Sequence, residues 1–269
     1  MSDGALIARV VPDVTGLDKQ FDYLVHAEVA TQVVPGSIVR VPLGPRKVRA
    51  WVVELVASSD VAALKPIASW SGIGPSPEIL ALARWAAHRW AGRLRALLVT
   101  ASPTTLVKRP VSPARGTWLP TAAPLPATGG VLRTPPCADP LATILRAAAA
   151  GPILVVNPDA AMASVLAARL RGEGMRVAVF PRDWALAAGG ADVVIGPRSA
   201  VWAPCAGLSG ILVLDEHEEA LQDERSPTWH ARDVAIERAA RAGVPCWLAS
   251  PTPTLEALHW AGDRVERPS

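Results

Sequence analysis

A run of acidic residues follows an apolar segment in the C-terminal half of the sequence. Residues 211–214 are Ile-Leu-Val-Leu, and Asp215 and Glu216 come directly after them. Mg²⁺-dependent phosphoryl transfer uses two carboxylates at such a point, one to hold the metal and the next to orient water. An acidic turn or helix start, which the helix dipole favours, would show the same pattern. The spacing alone leaves both interpretations open.

No lysine-bearing phosphate loop accompanies these carboxylates. A P-loop requires Gly-x-x-x-x-Gly-Lys-Ser/Thr, whose backbone amides surround the phosphates and whose lysine reaches their outer oxygens. The four lysines of the chain are Lys19, Lys47, Lys65 and Lys108, so residues 139–269 contain none. Arginine does not replace a compact ammonium in such a loop. We therefore expect no intact ATP or magnesium site, and no bound cofactor or metal.

Alternating strands and helices are predicted to position the acidic pair. Apolar runs predict five strands, at residues 153–156, 176–180, 192–195, 211–214 and 246–249. Helices are predicted between these strands, the first of them capped by Asp139 and Pro140. Because such alternation requires right-handed crossovers, residues 139–269 are predicted to form a mostly parallel, doubly wound α/β lobe.

The first 105 residues predict a different architecture. Short extended segments predict strands at residues 5–11, 21–25, 37–41 and 48–56. Ser76 and Pro77 then open a helix, as N-cap and first helical residue. We expect a small, β-rich, barrel-like domain with a helix.

The segment between these two parts is rich in proline. Residues 106–138 hold seven prolines, a Gly-Gly pair and no acidic residue. We interpret this segment as an extended basic linker, because no strand or helix periodicity survives such spacing. The predicted domains are therefore 1–105, 106–138 and 139–269.

Composition restricts the class of protein and its cellular compartment. Half of the residues are apolar and 19% are charged, which is typical of a globular protein. The three cysteines, Cys137, Cys205 and Cys246, form no metal-binding or disulfide pattern and suit a reducing compartment. No signal peptide or membrane span is evident, so we expect a cytoplasmic protein without membrane contact.

The charge is distributed unevenly along the chain. Residues 1–138 carry 15 Lys and Arg against 8 Asp and Glu, whereas residues 139–269 carry 12 against 16. If the chain binds a polyanion such as DNA, the N-terminal part is the better candidate.

Several segments resemble the PriA family of replication restart proteins, in that family's order. The resemblance to its 3′-DNA-binding domain is carried by residues 8–10, 21–24, 35–44, 64–66 and 82–86. The resemblance to the first lobe of its superfamily 2 helicase core is carried by residues 196–204, 215–218, 229–235 and 250–256. This resemblance implies a RecA-like fold for the lobe, DNA as a partner and association with the nucleoid.

The sequence also departs from the family pattern. The strand and glycine-rich loop that carry the P-loop lysine are expected to be missing, and His217 and Glu218 stand in reversed order in the acidic box. The sequence ends at Ser269, before a second helicase lobe and the family's zinc-binding cysteines. It is similar to the ATPase-inactive form of the family in some high-GC bacteria, and Asp215 and Glu216 would then be vestigial.

The resemblance implies four residues that capture a free 3′ end: Phe21, Asp22, Gly44 and Lys65. Asp22 would accept a hydrogen bond from the terminal 3′-hydroxyl, and Phe21 would offer a surface for the last base. Gly44 would allow close approach of the DNA, and Lys65 would pair with a phosphate. Ordinary roles are also open, since Phe21 could be core, Asp22 a turn cap and Lys65 a surface charge.

Basic residues around a predicted hairpin turn are further candidates for phosphate contacts: Arg40, Arg46, Lys47 and Arg49. An ordinary basic loop would have the same composition.

Three functional hypotheses follow. The first is a DNA-binding replication restart protein without ATPase activity, which recognises 3′ ends at stalled or abandoned forks. Other primosome proteins and single-stranded-DNA-binding protein are then candidate partners. The second is an ATP-dependent 3′-5′ DNA helicase of the PriA type, which the lysine-free lobe argues against. The third is a non-functional fragment, against which the regular amphipathic patterning counts.

Overall fold

The computed structural model describes residues 6–112 and 116–266. The chain divides at Arg109 into two compact units. Ala5, where the first predicted strand would begin, lies outside the described residues. No helix within the described ranges is both long and apolar enough to cross a membrane.

The first unit is built on a five-stranded antiparallel sheet with the order β2-β1-β4-β3-β5. Its strands are β1 Ile7–Pro12, β2 Phe21–Leu24, β3 Ile38–Leu43, β4 Arg46–Val56 and β5 Ser69–Gly72. Its helices are α1 Ala27–Ala30, α2 Pro77–Arg89 and α3 Leu94–Ala101. Neither β5 nor α3 is predicted from the sequence, because Ser-Trp-Ser-Gly has no apolar run and α3 has no conventional capping residue.

This sheet is strongly curled. The Tyr23 hydroxyl on edge strand β2 donates a 2.8 Å hydrogen bond to the backbone oxygen of Pro42 on β3. In a flat sheet these strands would lie about 14 Å apart, since β1 and β4 separate them. The barrel-like prediction is therefore confirmed, and the concave face holds an apolar core that includes Val10, Val39 and Val52.

Trp51 connects β4 to the end of helix α3 in the first unit. Its side chain is completely buried, and its indole N–H donates a 2.7 Å hydrogen bond to the Ser102 hydroxyl just beyond α3. Helix α2 begins at Pro77 after Ser76, as the sequence predicts, and buries Leu82 and Ala83. The long strand β4 and both helices thereby form one packed unit.

The second unit contains a seven-stranded parallel sheet with the order β12-β6-β11-β10-β7-β9-β8. Its strands are β6 Gly130–Arg133, β7 Ile153–Val156, β8 Val177–Val179, β9 Val193–Gly196, β10 Gly210–Val213, β11 Cys246–Ser250 and β12 Val265–Glu266. Its helices are α4 Leu141–Ala148, α5 Ala160–Gly172, α6 Trp184–Gly190, α7 Ala231–Ala242 and α8 Leu255–Ala261. This topology confirms the parallel α/β prediction and is that of a RecA-like lobe.

Strand β6 corrects the sequence analysis. No strand of the lobe is predicted before α4, yet β6 precedes it and lies inside the segment interpreted as an extended linker. Only Val131 and Leu132 supply apolar side chains, so the strand signal is short and the surrounding prolines obscure it. Gly130 has φ 133°, and a Cβ there would lie 2.2 Å from the Arg264 backbone oxygen. Gly130 therefore allows the backbone of β6 to lie close to the backbone of Arg264.

Candidate nucleic-acid interface

The four residues predicted to bind a 3′ end lie around one cleft in the first unit. Phe21, Asp22, Gly44 and Lys65 all line this cleft, which has a volume of about 720 Å³. The other lining residues are Arg9, Gln20, Tyr23, Pro42, Leu43, Ser58, Ser59, Asp60, Val61 and Ala63. Residues far apart in the sequence are thus brought together on one surface.

Backbone pairing positions Lys65 beside β2. The N–H of Leu24 donates to the backbone oxygen of Lys65 at 3.0 Å, and the N–H of Ile67 donates to the oxygen of Leu24 at 2.9 Å. The segment around Lys65 therefore extends the edge of the sheet next to Asp22. The Lys65 residue itself is exposed, so its ammonium group is accessible to a phosphate.

Asp22 is held by two side chains. Arg9 donates from Nε to Oδ1 at 3.0 Å and from Nη2 to Oδ2 at 3.3 Å. The Ser59 hydroxyl donates to Oδ2 at 2.7 Å. The Asp22 side chain is only 10% exposed, yet it lines the cleft. The structure therefore shows an oriented carboxylate and not a turn cap.

These contacts also fix the charge of Asp22. The hydrogen bond from Arg9 lowers the pKa of the Asp22 carboxyl, and the hydrogen bond from Ser59 lowers it further, against the effect of burial. The carboxylate is consequently ionised at neutral pH, which is the form that accepts a hydrogen bond from a hydroxyl.

The two aromatic residues of β2, Phe21 and Tyr23, lie on the same face of the strand but differ in burial. Tyr23 is buried in the core, and burial raises the pKa of its phenol. Phe21 packs against the same core but remains half-buried and lines the cleft. Phe21 therefore offers a surface to a base while it also contributes to the core.

Gly44 lies in the two-residue turn between β3 and β4. Its φ is 59°, whereas the ring of Pro45 requires a negative φ, so the pair matches a type II′ hairpin turn. A Cβ at Gly44 would meet no atom of the chain within 4 Å. The turn explains the glycine by itself, and the open space beside it leaves room for a ligand.

The basic hairpin residues do not line the cleft. Arg40 and Arg49 are direct cross-strand partners on β3 and β4, while Arg46 and Lys47 follow the Gly44 turn. Arg40, Arg46 and Lys47 are exposed, and within residues 6–112 none of them forms an ion pair.

Arg49 differs from these three residues because it is partly buried. Its guanidinium lies 5.0 Å from the centre of the Trp51 ring. Burial lowers the pKa of Arg49, and the neighbouring charge of Arg40 lowers it as well, whereas Asp13 raises it.

Sequence reasoning missed Arg9 and Ser59 as parts of the site. Arg9 could have been found from the pairing of β1 with β2, because Arg9 and Asp22 are direct cross-strand partners. Ser59 lies in the loop after β4, where no periodic signal places a side chain.

Asp215 and Glu216 do not form a common site. Asp215 is exposed and has φ 46°, while the Glu216 side chain is completely buried. Glu216 accepts hydrogen bonds from the N–H and the hydroxyl of Thr254, at 2.6 and 2.9 Å. Arg232 lies 3.5 Å from the same carboxylate. Glu216 is therefore occupied by structural contacts.

The loop between β6 and α4 is rich in proline. Residues 134–140 include Pro135, Pro136 and Pro140, which have no N–H to donate. Asp139 accepts a hydrogen bond from the N–H of Leu141 at 3.1 Å, at the start of α4, and forms a two-pronged ion pair with Arg169 at 2.6 and 2.9 Å. These two contacts hold the Asp139 carboxylate at the start of α4. Within the described ranges, no group of three or more His, Cys, Asp or Glu residues could hold a metal ion.

Comparison with known proteins identifies the first unit. Residues 9–103 match the family model of the PriA 3′DNA-binding domain. They belong to that domain family. The 3′DNA-binding domain therefore contains Phe21, Asp22, Gly44 and Lys65, together with Arg9 and Ser59.

Similarity to PriA proteins extends beyond the 3′DNA-binding domain. The "Probable replication restart protein PriA" of Mycobacterium leprae is 30% identical over 301 residues, which cover 93% of this chain and 46% of that protein. The "Replication restart protein PriA" of Bacillus subtilis is 45% identical over 65 residues, 24% of this chain and 8% of that protein. The resemblance to the PriA family is thereby confirmed. The chain spans less than half the length of these curated relatives.

Proposed function

We propose that this chain is a DNA-binding protein of replication restart that captures the free 3′ end of a strand at a stalled or abandoned fork. The observation that carries the proposal is the convergence of Phe21, Asp22, Gly44 and Lys65 on one cleft in a 3′DNA-binding domain. Nothing in the sequence spacing requires these four residues to meet.

The chemistry of the cleft suits a strand terminus. An ionised carboxylate accepts a hydrogen bond from a hydroxyl, and an exposed lysine in the same cleft pairs with a phosphate. The half-buried ring of Phe21 provides a stacking surface, which contributes about 1–3 kcal/mol where stacking occurs. Arg40, Arg46 and Lys47 would contact phosphates farther from the terminus, because they lie on the β3–β4 hairpin beside the cleft and not within it.

We further propose that the RecA-like lobe hydrolyses no ATP and binds no metal or cofactor. In support, residues 139–269 contain no lysine, the 134–140 loop has three prolines, and Asp139 stands at the start of α4. The buried Glu216 is unavailable for metal or water. The lobe would then act as a docking surface for primosome proteins or single-stranded-DNA-binding protein.

A competition experiment tests 3′-end recognition. Forked DNAs that are identical except for a 3′-hydroxyl, 3′-deoxy or 3′-phosphate terminus compete for the full-length protein. We expect the hydroxyl end to bind about 5- to 150-fold more tightly than the deoxy end, since an unsatisfied polar partner costs about 1–3 kcal/mol. Equal affinity for the three ends would contradict the proposal and leave a non-specific DNA-binding domain.

A further inference from the structure

A row of charged side chains links three strands of the first sheet. Asp22 on β2, Arg9 on β1 and Glu54 on β4 are successive cross-strand partners. Arg9 donates twice to Asp22, and its Nη1 donates to Glu54 Oε2 at 3.1 Å. The guanidinium is therefore fixed from both sides.

This row of charged side chains restricts how Asp22 can accept a further hydrogen bond. An ionised carboxylate has about four acceptor positions, two on each oxygen. At Oδ2 both positions are taken, by Arg9 and by Ser59, whereas at Oδ1 only Arg9 donates. One position on Oδ1 is left for a ligand hydroxyl. The planar guanidinium group of Arg9 thus determines which oxygen of Asp22 accepts the hydrogen bond from the ligand hydroxyl.

From this geometry we infer that Arg9 is a positioning residue for 3′-end recognition, which orients the Asp22 carboxylate and keeps it ionised. The inference rests on the proposed function. It adds a residue whose side chain acts on the 3′ terminus through Asp22.

The charges around Asp22 explain why Arg9 matters for ionisation. Arg9 faces Asp22 from β1, Lys65 and Asp60 line the same cleft, and Glu54 lies behind Arg9 on β4. Without Arg9, partial burial would oppose the charge of Asp22, and the hydrogen bond from Ser59 would be left to favour it. The carboxyl would then hold its proton at higher pH.

The test measures end preference against pH in the full-length protein. In the wild-type protein, the ratio of affinities for 3′-hydroxyl and 3′-deoxy forks, whose termini do not titrate in this range, should stay constant from pH 8 to pH 5. In Arg9→Met the ratio should fall about twofold between pH 8 and pH 5, because Asp22 becomes partly protonated at the lower end of this range. Arg9→Lys keeps the charge without the fork, so it should restore the flat pH profile with a smaller ratio. Lys19→Met, which removes an exposed cation outside the cleft, should behave like the wild type.

A second readout does not depend on DNA. The carbon resonance of the Asp22 carboxyl should titrate at least about one pH unit higher in Arg9→Met than in the wild-type protein. An unchanged titration, or an end preference that Arg9→Met retains at every pH, would overturn the inference and leave the proposed function intact. A wild-type protein that prefers no terminus would overturn the proposed function, and the inference with it.

Far-UV circular dichroism and thermal unfolding establish that each variant is folded. If Arg9→Met does not fold, Arg9→Lys alone decides the result.

Discussion

The carboxylate of Glu216 is bonded to both the backbone N–H and the hydroxyl of Thr254, the residue that caps helix α8. A residue in the acidic box thus joins the end of β10 to the start of α8, and Arg232 of α7 completes the contact. In this chain the second carboxylate of the box stabilises the fold of the lobe.

Glu216→Ala should therefore destabilise the second unit by about 3 kcal/mol, because it leaves buried Arg232 without its nearest buried carboxylate. Glu218→Ala removes an exposed carboxylate two residues away and should change the free energy of unfolding by less than about 0.5 kcal/mol. Denaturant unfolding of both variants measures the difference. Equal stabilities would show that the Glu216 contacts contribute little.

The proposed absence of ATP hydrolysis has a direct assay. The purified protein should hydrolyse no ATP above background, with or without forked DNA, since the 134–140 loop lacks a lysine and holds Asp139 at the start of α4. Phosphate release at saturating ATP is the measurement. DNA-stimulated hydrolysis that co-purifies with the protein and is lost in Asp215→Ala would contradict this prediction.

Asp22→Asn should reduce the preference for a 3′-hydroxyl over a 3′-phosphate, because the amide keeps the shape and loses the charge. Asp60→Asn is the matched control, since Asp60 lines the same cleft and carries the same charge. Competition between forks that differ in their terminus compares the two variants. If both lose the preference equally, the net charge of the cleft discriminates between the ends and the hydrogen bond of Asp22 does not.

Gly44→Ala tests whether DNA approaches the hairpin turn. The substitution strains a residue at φ 59° by about 1–2 kcal/mol, although its Cβ would meet no atom of the chain. Gly16→Ala strains a residue at φ 86° in the same way, and Gly16 does not line the cleft. Both variants should lose similar stability, whereas Gly44→Ala alone should weaken binding to forked DNA. Equal affinities would confine the role of Gly44 to the turn.

Lys65→Ala should weaken binding of all three termini alike and reduce the slope of log affinity against log salt by about one. Arg40→Gln should have the same effect if the β3–β4 hairpin contacts a phosphate. Lys19→Ala, an exposed lysine outside the cleft, is the control and should leave the slope unchanged. Titrations at several salt concentrations give the slopes, and an unchanged slope would exclude a phosphate contact by the substituted residue.

The sequence by itself determined those features that depend on local pattern. Apolar runs located strands β7 to β11 of the lobe, and Ser76-Pro77 located the start of α2, because burial and helix initiation act over a few neighbouring residues. The absence of lysine after Lys108 is also a property of the sequence alone. Family resemblance pointed to Phe21, Asp22, Gly44 and Lys65, but spacing could not show that they meet.

Tertiary structure decided the features that depend on long-range pairing. The register of β1 against β2 places Arg9 on Asp22, and the curl of the sheet brings the β3–β4 turn and the loop after β4 to the same cleft. Strand β6 has only two apolar side chains and exists because β11 and β12 pair with it on both sides. Glu216 looks like a catalytic carboxylate in the sequence, yet packing against Thr254 and Arg232 buries it. Contacts between distant residues, which no local spacing encodes, account for each of these differences.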